Sequence, residues 1–273
     1  MRPAPLTSNA VVSGYTQGFF AQEGDLSGRA AREVVPMLMK IVGASSVVDV
    51  GCGVGSWLDE FRQKGVTDIL GIDFHVQKSS LKIPREKFLR YDLQKPITVP
   101  RRFDLVLCME VAEHLPSESA GTLVQSLVDL GPIVVFSAAL PYQLGGASHI
   151  NEAWPEWWAK LFSTKGYKVI DCIRSQIWLD WDVPYWYSQN LLMFVSSDVI
   201  SRNGYLKAAM NETNESKLSL VHPRAWLNWS FVIVRHRKVL EMANTWLVLI
   251  CRSIAFTVSA FRRRNIGDAR RVS

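Results

Sequence analysis

The segment VVDVGCGVGSW, residues 47–57, constrains the fold of this chain more than any other part of the sequence. It joins a short apolar run that contains one acid, three alternating glycines at Gly51, Gly53 and Gly55, and a stretch with helical character. Glycine lets the backbone turn sharply and approach a ligand closely, because it carries no Cβ. The segment therefore predicts a buried strand, a nucleotide-type loop and a helix, in that order.

Further apolar runs end in acidic residues, which is informative because ligands of open α/β sheets bind at the carboxyl ends of the strands. Asp73 ends the run ILGID, and Asp92 ends the run FLRYD. An acid at the end of the second strand can hydrogen-bond the hydroxyls of a ribose. A dinucleotide fingerprint of the form G-x-G-x-x-G would require glycine at position 56, where this chain has Ser56.

The motif and the order of the elements resemble the class I S-adenosylmethionine (SAM)-dependent methyltransferases. Their glycine loop typically reads hydrophobic-hydrophobic-Asp/Glu-x-Gly-x-Gly-x-Gly, and residues 47–55 reproduce that pattern. The resemblance covers residues 27–197 and implies an α/β fold with a doubly wound, Rossmann-like sheet of seven strands. It also implies SAM as the cofactor.

The resemblance assigns the acids and glycines of these loops to parts of SAM. It implies that the three glycines line the methionine part, with Asp49 near its amino group. Asp73 would hold the ribose hydroxyls, and Asp92 would contact the adenine amino group. An Asp that follows Tyr at a strand end can equally cap a turn, so both roles stay open for Asp92. The predicted cofactor-binding residues are therefore Asp49, Gly51, Gly53, Gly55, Asp73 and Asp92.

Glu110, Glu113 and His114 stand three and four positions apart, so one helical turn would present them on one side. His149 follows the fifth predicted strand, in the neighbouring loop at the same edge of the sheet. A Glu-x-x-Glu-His segment followed by a distant His resembles the metal-binding set of the small-RNA 2′-O-methyltransferases. The resemblance implies that these four residues bind a divalent ion, for which two carboxylates and two imidazoles favour Mn²⁺, Fe²⁺, Co²⁺ or Zn²⁺.

A metal-free role stays open for the same residues. Segments of this kind also occur in metal-free class I methyltransferases, where the acid and the imidazole organise the loop after the fourth strand. His149 would then act as a general base toward an acceptor hydroxyl. In either case the predicted catalytic residues are Glu113, His114 and His149.

Tryptophan is concentrated between residues 154 and 186, together with polar side chains that suit an acceptor with a flat apolar face and hydroxyl groups. The segments HINEAWPEWWAKLF and WYSQNLLMFV also resemble a bacterial methyltransferase subfamily associated with surface-polysaccharide and glycan genes. That resemblance implies O-methylation of a sugar, a glycan or a related small molecule. Two alternatives stay open: an RNA ribose 2′-O-methyltransferase, and a non-catalytic SAM-binding accessory protein associated with a membrane.

The net charge of +6 is concentrated at the C-terminal end, where residues 221–273 hold ten basic against two acidic side chains. The catalytic domain, predicted over residues 1–200, is therefore close to neutral, which disfavours a nucleic-acid substrate. Residues 201–273 are predicted as a polar linker followed by a basic, apolar helical extension. Its segment 245–261 is short for a membrane span and is interrupted by Arg252. Docking on the domain and peripheral contact with anionic lipid both stay open for it.

The N-terminal sequence does not resemble a secretory signal, and the four cysteines lack metal-knuckle or disulfide spacing. We therefore expect a cytoplasmic protein, which the C-terminal segment could place at the periphery of the inner membrane.

Within the domain, residues 27–42 predict a helix that begins at Ser27 and is kinked or interrupted at Pro36.

Overall fold

The computed structural model describes residues 17–143 and 149–227, and a single mixed sheet with helices on both faces organises this part of the chain. The helices are α1 (Gln17–Val42), α2 (Ser56–Gln63), α3 (Ala120–Leu130), α4 (Pro155–Ser163), α5 (Arg174–Ile177), α6 (Tyr185–Asn190), α7 (Ser197–Arg202) and α8 (Gly204–Glu212). The strands are β1 (Ser46–Val50), β2 (Asp68–Asp73), β3 (Phe88–Arg90), β4 (Leu105–Met109), β5 (Ile133–Ser137), β6 (Tyr167–Ile170) and β7 (Leu192–Ser196).

The strands follow the order β3-β2-β1-β4-β5-β7-β6 across the sheet. Strand β7 runs antiparallel to both of its neighbours, β5 and β6, and the pairs from β3 to β5 are parallel. The carboxyl ends of β1, β2, β4 and β5 therefore meet at one edge of the sheet. The predicted doubly wound α/β fold with a seven-stranded sheet is confirmed.

The central strands are buried on both sides because helices cover both faces of the sheet. Every residue of β4 and of β5 is buried, as expected for strands without polar alternation. On one face Leu107 packs with Val47 in a core that includes α1 and α2. On the other face Val106 and Val48 belong to a second core, which includes α3. This two-sided packing fixes the position of the loops at the carboxyl edge.

Helix α1 is longer than the sequence predicts. It extends from Gln17, so Ser27 lies inside the helix and does not cap it. The Ser27 hydroxyl instead lies 3.0 Å from the hydroxyl of Tyr187. Pro36 also lies within the helix and does not interrupt it. The neighbouring Val35 is completely buried, which shows that tertiary packing outweighs the local helix-breaking tendency of proline here.

The described residues after residue 200, for which the sequence suggests a linker, include side chains that pack against the domain. They contain α8, in which Leu206 is completely buried. Further along the chain, Arg174 Nη1 donates a hydrogen bond to the carbonyl of Leu218 at 2.8 Å. The compact unit that contains the sheet extends to Ala225.

The apolar segment 245–261 and the basic residues after it lie outside the described residues, so docking and lipid contact both stay predictions. Among the helices that the structure describes, none combines the length and the apolar character needed to cross a bilayer. Cys52, Cys108 and Cys172 are free thiols.

Candidate active site

The glycine loop follows β1 as predicted, and each of its three glycines has a left-handed backbone conformation. Gly51, Gly53 and Gly55 have φ values of 81°, 51° and 84°, which glycine adopts without steric strain. A Cβ on Gly51 would lie 2.2 Å from Val111, whereas a Cβ on Gly53 would meet no described atom within 4 Å. Gly51 therefore permits close packing with the loop after β4, and Gly53 leaves room for a ligand.

Asp73, at the end of β2, is held against the glycine loop by backbone hydrogen bonds. Its Oδ2 accepts a hydrogen bond from the Gly53 N–H at 3.0 Å, and its Oδ1 accepts one from the His75 N–H at 2.8 Å. Oδ1 also accepts a longer hydrogen bond from the Val76 N–H at 3.3 Å, and a carboxylate has a further lone pair beyond those used in these three bonds. The position of Asp73 therefore fits the predicted contact with ribose hydroxyls.

Asp49 is a buried acid in β1. It is 1% exposed, and neither carboxylate oxygen has a hydrogen bond to a described residue. Burial, reinforced by the negative charge of Asp73, raises the pKa of Asp49 to about 8. A buried carboxylate is stabilised by a neighbouring cation, and SAM carries both an ammonium and a sulfonium group. The buried acid and the open space at Gly53 therefore fit SAM.

Binding of S-adenosylhomocysteine is expected to release a proton from Asp49. At pH 7 the free carboxyl group is mostly protonated because its pKa is about 8, and a nearby ammonium group lowers that pKa. The affinity for S-adenosylhomocysteine should therefore rise as the pH increases from about 6 to about 8. Isothermal titration in two buffers of different ionisation enthalpy measures the released proton. Asp49→Asn should abolish the buffer dependence, and equal proton release in the variant would exclude Asp49 as the source.

Asp92 is partly exposed and stabilises a turn after β3. Its Oδ1 accepts a hydrogen bond from the Gln94 N–H at 3.1 Å, and its Oδ2 lies 3.5 Å from Lys95 Nζ. These contacts match the turn-capping alternative. The contact of Asp92 with the adenine amino group stays a prediction.

The structure brings Glu113, His114 and His149 together at the carboxyl edge of the sheet. One ligand atom from each residue lies within 4.8 Å of the other two, and the two imidazole rings have centroids 5.0 Å apart. The carbonyl of Glu113 accepts hydrogen bonds from the N–H groups of Ile150 at 2.8 Å and Asn151 at 3.1 Å. These bonds hold the His149 loop against the loop after β4. All three predicted catalytic residues are therefore neighbours.

Glu113 is completely buried, and neither carboxylate oxygen has a hydrogen bond to a described residue. Burial raises the pKa of Glu113 well above its usual range, and the negative charge of Glu110 raises it further. Such a carboxyl group either keeps its proton or requires a cation nearby. One carboxylate with two imidazoles fits Mn²⁺, Fe²⁺, Co²⁺ or Zn²⁺.

Glu152 is a candidate site residue that the sequence analysis missed. Its Oε1 lies 2.9 Å from His149 Nδ1, and its Oε2 accepts a hydrogen bond from the Tyr142 N–H at 2.7 Å. When Nδ1 donates to this carboxylate, Nε2 keeps the lone pair that can bind a metal or accept a proton. The only sequence signal for this pairing is the His-x-x-Glu spacing.

Glu110 does not share a helical turn with Glu113, so this part of the sequence prediction is wrong. Its φ of 55° is left-handed, and this conformation separates it from the short 3₁₀ turn Ala112–His114. Its carboxylate accepts hydrogen bonds from Asn190 Nδ2 at 3.1 Å and from Gln143 Nε2 at 3.3 Å. Glu110 is therefore held by side-chain amides. The group of three potential metal ligands consists of Glu113, His114 and His149, and Glu110 as a fourth ligand stays a prediction.

The strand order, the single antiparallel strand β7 and the glycine loop after β1 define the class I SAM-dependent methyltransferase architecture. A family model for the methyltransferase domain matches residues 23–171, which is more than half of the chain. The chain belongs to this methyltransferase-domain family. Membership confirms the predicted class and, with it, SAM as the methyl donor.

Relatives with assigned names match only part of the chain. It is 32% identical over 138 residues to a ubiquinone biosynthesis O-methyltransferase of Nitrosomonas europaea, with 42% of this chain and 57% of that protein covered. Across such relatives the match covers between 37% and 57% of their length. The chain therefore spans about half of their length.

Two solved structures are also similar to this chain. The methyltransferase domain of bacterial CtHen1 has a TM-score of 0.44 and 19% identity, covering 61% of this chain and 98% of that one. The SAM-bound amino pentose methyltransferase CalS10 of Micromonospora echinaspora has a TM-score of 0.47 and 15% identity, covering 67% and 98%.

Proposed function

We propose that this chain transfers the methyl group of SAM to a hydroxyl of a sugar, a glycan or a related small molecule. The observation that carries the proposal is the grouping of His149 with Glu113 and His114 at the carboxyl edge of the sheet. A hydroxyl acceptor must lose its proton during transfer, and an imidazole with a free lone pair supports that step. The Nitrosomonas relative is named as an O-methyltransferase, which supports oxygen as the atom that accepts the methyl group.

The residues of the chain have distinct tasks in this proposal. SAM, when bound, supplies an electrophilic methyl group. The glycine loop and Asp73 hold the cofactor in a fixed position, which aligns the methyl group with the acceptor. Glu152 orients His149 through the 2.9 Å contact with Nδ1. The lone pair on Nε2 is then left to bind a metal ion or to accept a proton.

A divalent metal ion bound by Glu113, His114 and His149 forms part of the proposal. When bound, such an ion would lower the pKa of the acceptor hydroxyl and hold it in place. Two observations support the fit: the buried Glu113 carboxylate without a described hydrogen-bond partner, and the carboxylate behind His149, which is typical of metal-bound histidines.

The proposed partner is a small-molecule or glycan acceptor, and nucleic acid is not favoured. The charge distribution supports this, because the excess of basic residues lies in the C-terminal segment. Cytoplasmic location and peripheral membrane contact through residues 245–261 stay predictions.

The test is a transfer assay with SAM that carries a labelled methyl group and a panel of sugars and glycans. We expect labelled methyl ethers with some of these acceptors. Asp73→Ala should weaken SAM binding by roughly 10- to 100-fold, through the loss of charge-assisted hydrogen bonds. Asp68→Ala, at the opposite end of β2, is the matched control and should leave SAM binding unchanged. A protein that binds SAM but labels no hydroxyl acceptor would contradict the proposal.

A further inference from the structure

The side-chain amides of Gln143, Gln189 and Asn190 contact one another, and we call these three residues the amide cluster. Gln189 and Asn190 lie in α6 and are 2% and 3% exposed, whereas Gln143 lies in the loop after β5. Gln189 Nε2 donates hydrogen bonds to Gln143 Oε1 at 3.0 Å and to Asn190 Oδ1 at 3.1 Å. Gln189 is therefore the member that joins the other two.

A backbone group fixes the orientation of the Gln189 amide. Its Oε1 accepts a hydrogen bond from the His222 N–H at 2.8 Å, and a backbone N–H can only donate. The oxygen of Gln189 therefore faces His222, and its NH₂ group faces Gln143 and Asn190. The oxygens of these two amides must then face Gln189, which leaves their NH₂ groups for another acceptor.

That acceptor is the carboxyl group of Glu110. Gln143 Nε2 donates to its Oε2 at 3.3 Å, and Asn190 Nδ2 donates to its Oε1 at 3.1 Å. A reversed amide would place an oxygen against the carboxyl oxygen and lose the hydrogen bond. The backbone of Glu110 has a left-handed φ of 55°, which a residue other than glycine keeps only where its surroundings hold it. The amide cluster is part of those surroundings.

The amide cluster connects the two loops that carry the proposed catalytic residues. Glu110 lies two residues before the turn Ala112–His114. On the other side, Gln143 ends a turn in which the preceding residue donates its N–H to Glu152 at 2.7 Å. Glu152 in turn contacts His149 Nδ1 at 2.9 Å. The spacing between the turn and the His149 loop therefore depends on the amide cluster.

The backbone at His222 is held in place by contacts outside the amide cluster. Leu218 is 1% exposed. The Ser219 N–H donates to the Glu156 carboxylate at 2.9 Å, and His222 Nε2 lies 2.7 Å from the carbonyl of Trp178. The His222 N–H is thus a fixed point from which the amide orientations follow.

We propose that Gln189 is a positioning residue for methyl transfer, which maintains the spacing between the turn Ala112–His114 and His149. It acts through the amides that it orients and through Glu110, so it needs no contact with the substrate. The inference rests on the proposed function. It gives the segment after α8 a role in catalysis, because that segment supplies the N–H that orients Gln189.

The test replaces Gln189 by methionine, which has a similar size and no amide. The kcat of labelled-methyl transfer to the acceptor found in the sugar panel should fall roughly 10- to 100-fold, because small displacements of reacting groups slow a reaction strongly. The KM of the acceptor should stay unchanged, since only the transition state loses an interaction. Gln176→Met is the matched control at an exposed position in α5 and should change neither constant.

Two further variants distinguish positioning from a loss of stability. Gln143→Met should lower kcat by a similar factor, and the double variant with Gln189→Met should lose no more than either single variant, because the amides act as a unit. Ser219→Ala removes a hydrogen bond between the same segment and Glu156, so it should lower Tm and leave kcat unchanged. Losses that multiply in the double variant, or an equal loss of kcat in Ser219→Ala, would overturn the inference.

The remaining outcomes separate this inference from the proposed function. An unchanged kcat in Gln189→Met would overturn the inference and leave the function standing. If no acceptor is methylated, the function is wrong, and amide hydrogen exchange decides on the positioning by itself. Gln189→Met should then speed exchange at the N–H groups of Tyr142 and Ile150 and leave that of Val48 in β1 unchanged. Exchange at Tyr142 and Ile150 equal to that of the unaltered protein would overturn the inference.

Discussion

Chelation of divalent metal is expected to reduce methyl transfer by about 10²- to 10⁴-fold, the range associated with loss of proton removal from an acceptor. The reason is that Glu113, His114 and His149 would lose the ion that they are proposed to hold. Added Mn²⁺ or Co²⁺ should restore the rate. Binding of S-adenosylhomocysteine should not change, because the glycine loop and Asp73 hold the cofactor. Elemental analysis combined with the labelled-methyl assay measures both effects.

Single-residue variants at the proposed metal site distinguish a loss of bound metal from a loss of folded protein. Glu113→Gln removes a metal ligand but also a buried charge, so it should lower metal content without destabilising the protein. Glu118→Gln is the matched control at an exposed position of the same segment. Glu152→Gln should weaken metal binding by about 10- to 100-fold. If metal-free protein is fully active while His149→Ala is inactive, His149 is a general base and the metal part of the proposal is wrong.

Replacement of Arg174 by methionine is expected to lower Tm by roughly 6 to 20 °C, which corresponds to about 3 to 5 kcal/mol for breaking a buried ion pair. Arg174 is 1% exposed and donates to both carboxylate oxygens of Asp171, at 2.9 and 2.6 Å. Its Nη1 also donates to the carbonyls of Gln189 and Leu218, each at 2.8 Å. One side chain therefore joins β6, α6 and the segment after α8. Differential scanning calorimetry measures the change.

The matched control for Arg174 is Arg202→Met, which removes an exposed ion pair with Asp198. It should change Tm little, because exposed ion pairs contribute little to stability. A double variant, Asp171→Asn with Arg174→Met, should recover part of the lost stability, since no unpaired charge remains. An unchanged Tm in Arg174→Met alone would show that these four hydrogen bonds do not stabilise the native protein.

The strands could be predicted from the sequence, whereas the beginning of α1 could not. Buried parallel strands are continuous apolar runs, and such runs are easily recognised. Residues 17–26, QGFFAQEGDL, contain no N-cap signal and no clear apolar periodicity. Their helical conformation is supported by tertiary contacts, such as the hydrogen bond from Ser56 to the carbonyl of Gly24. Contacts of this kind leave no local pattern.

The candidate site could be predicted where its residues directly follow strands. Glu113, His114 and His149 follow strands that end at the same edge of the sheet, so their meeting was foreseeable. Glu110 was misplaced because its left-handed φ breaks the helical spacing assumed for the segment. The amide of Asn190 that binds Glu110 comes from α6, far along the chain, and no sequence spacing connects the two.

Strand β7 enters the sheet between β5 and β6, although it follows both of them along the described part of the chain. During synthesis β6 leaves the ribosome before the strand that must separate it from β5. The free edge of β5 stays unpaired until β7 emerges, and an open edge can pair with other chains. The cofactor loop and Asp73 emerge before Tyr187 and Asn190, which lie in α6 directly before β7. Completion of β7 therefore closes the edge of β5 and brings β6 into the sheet.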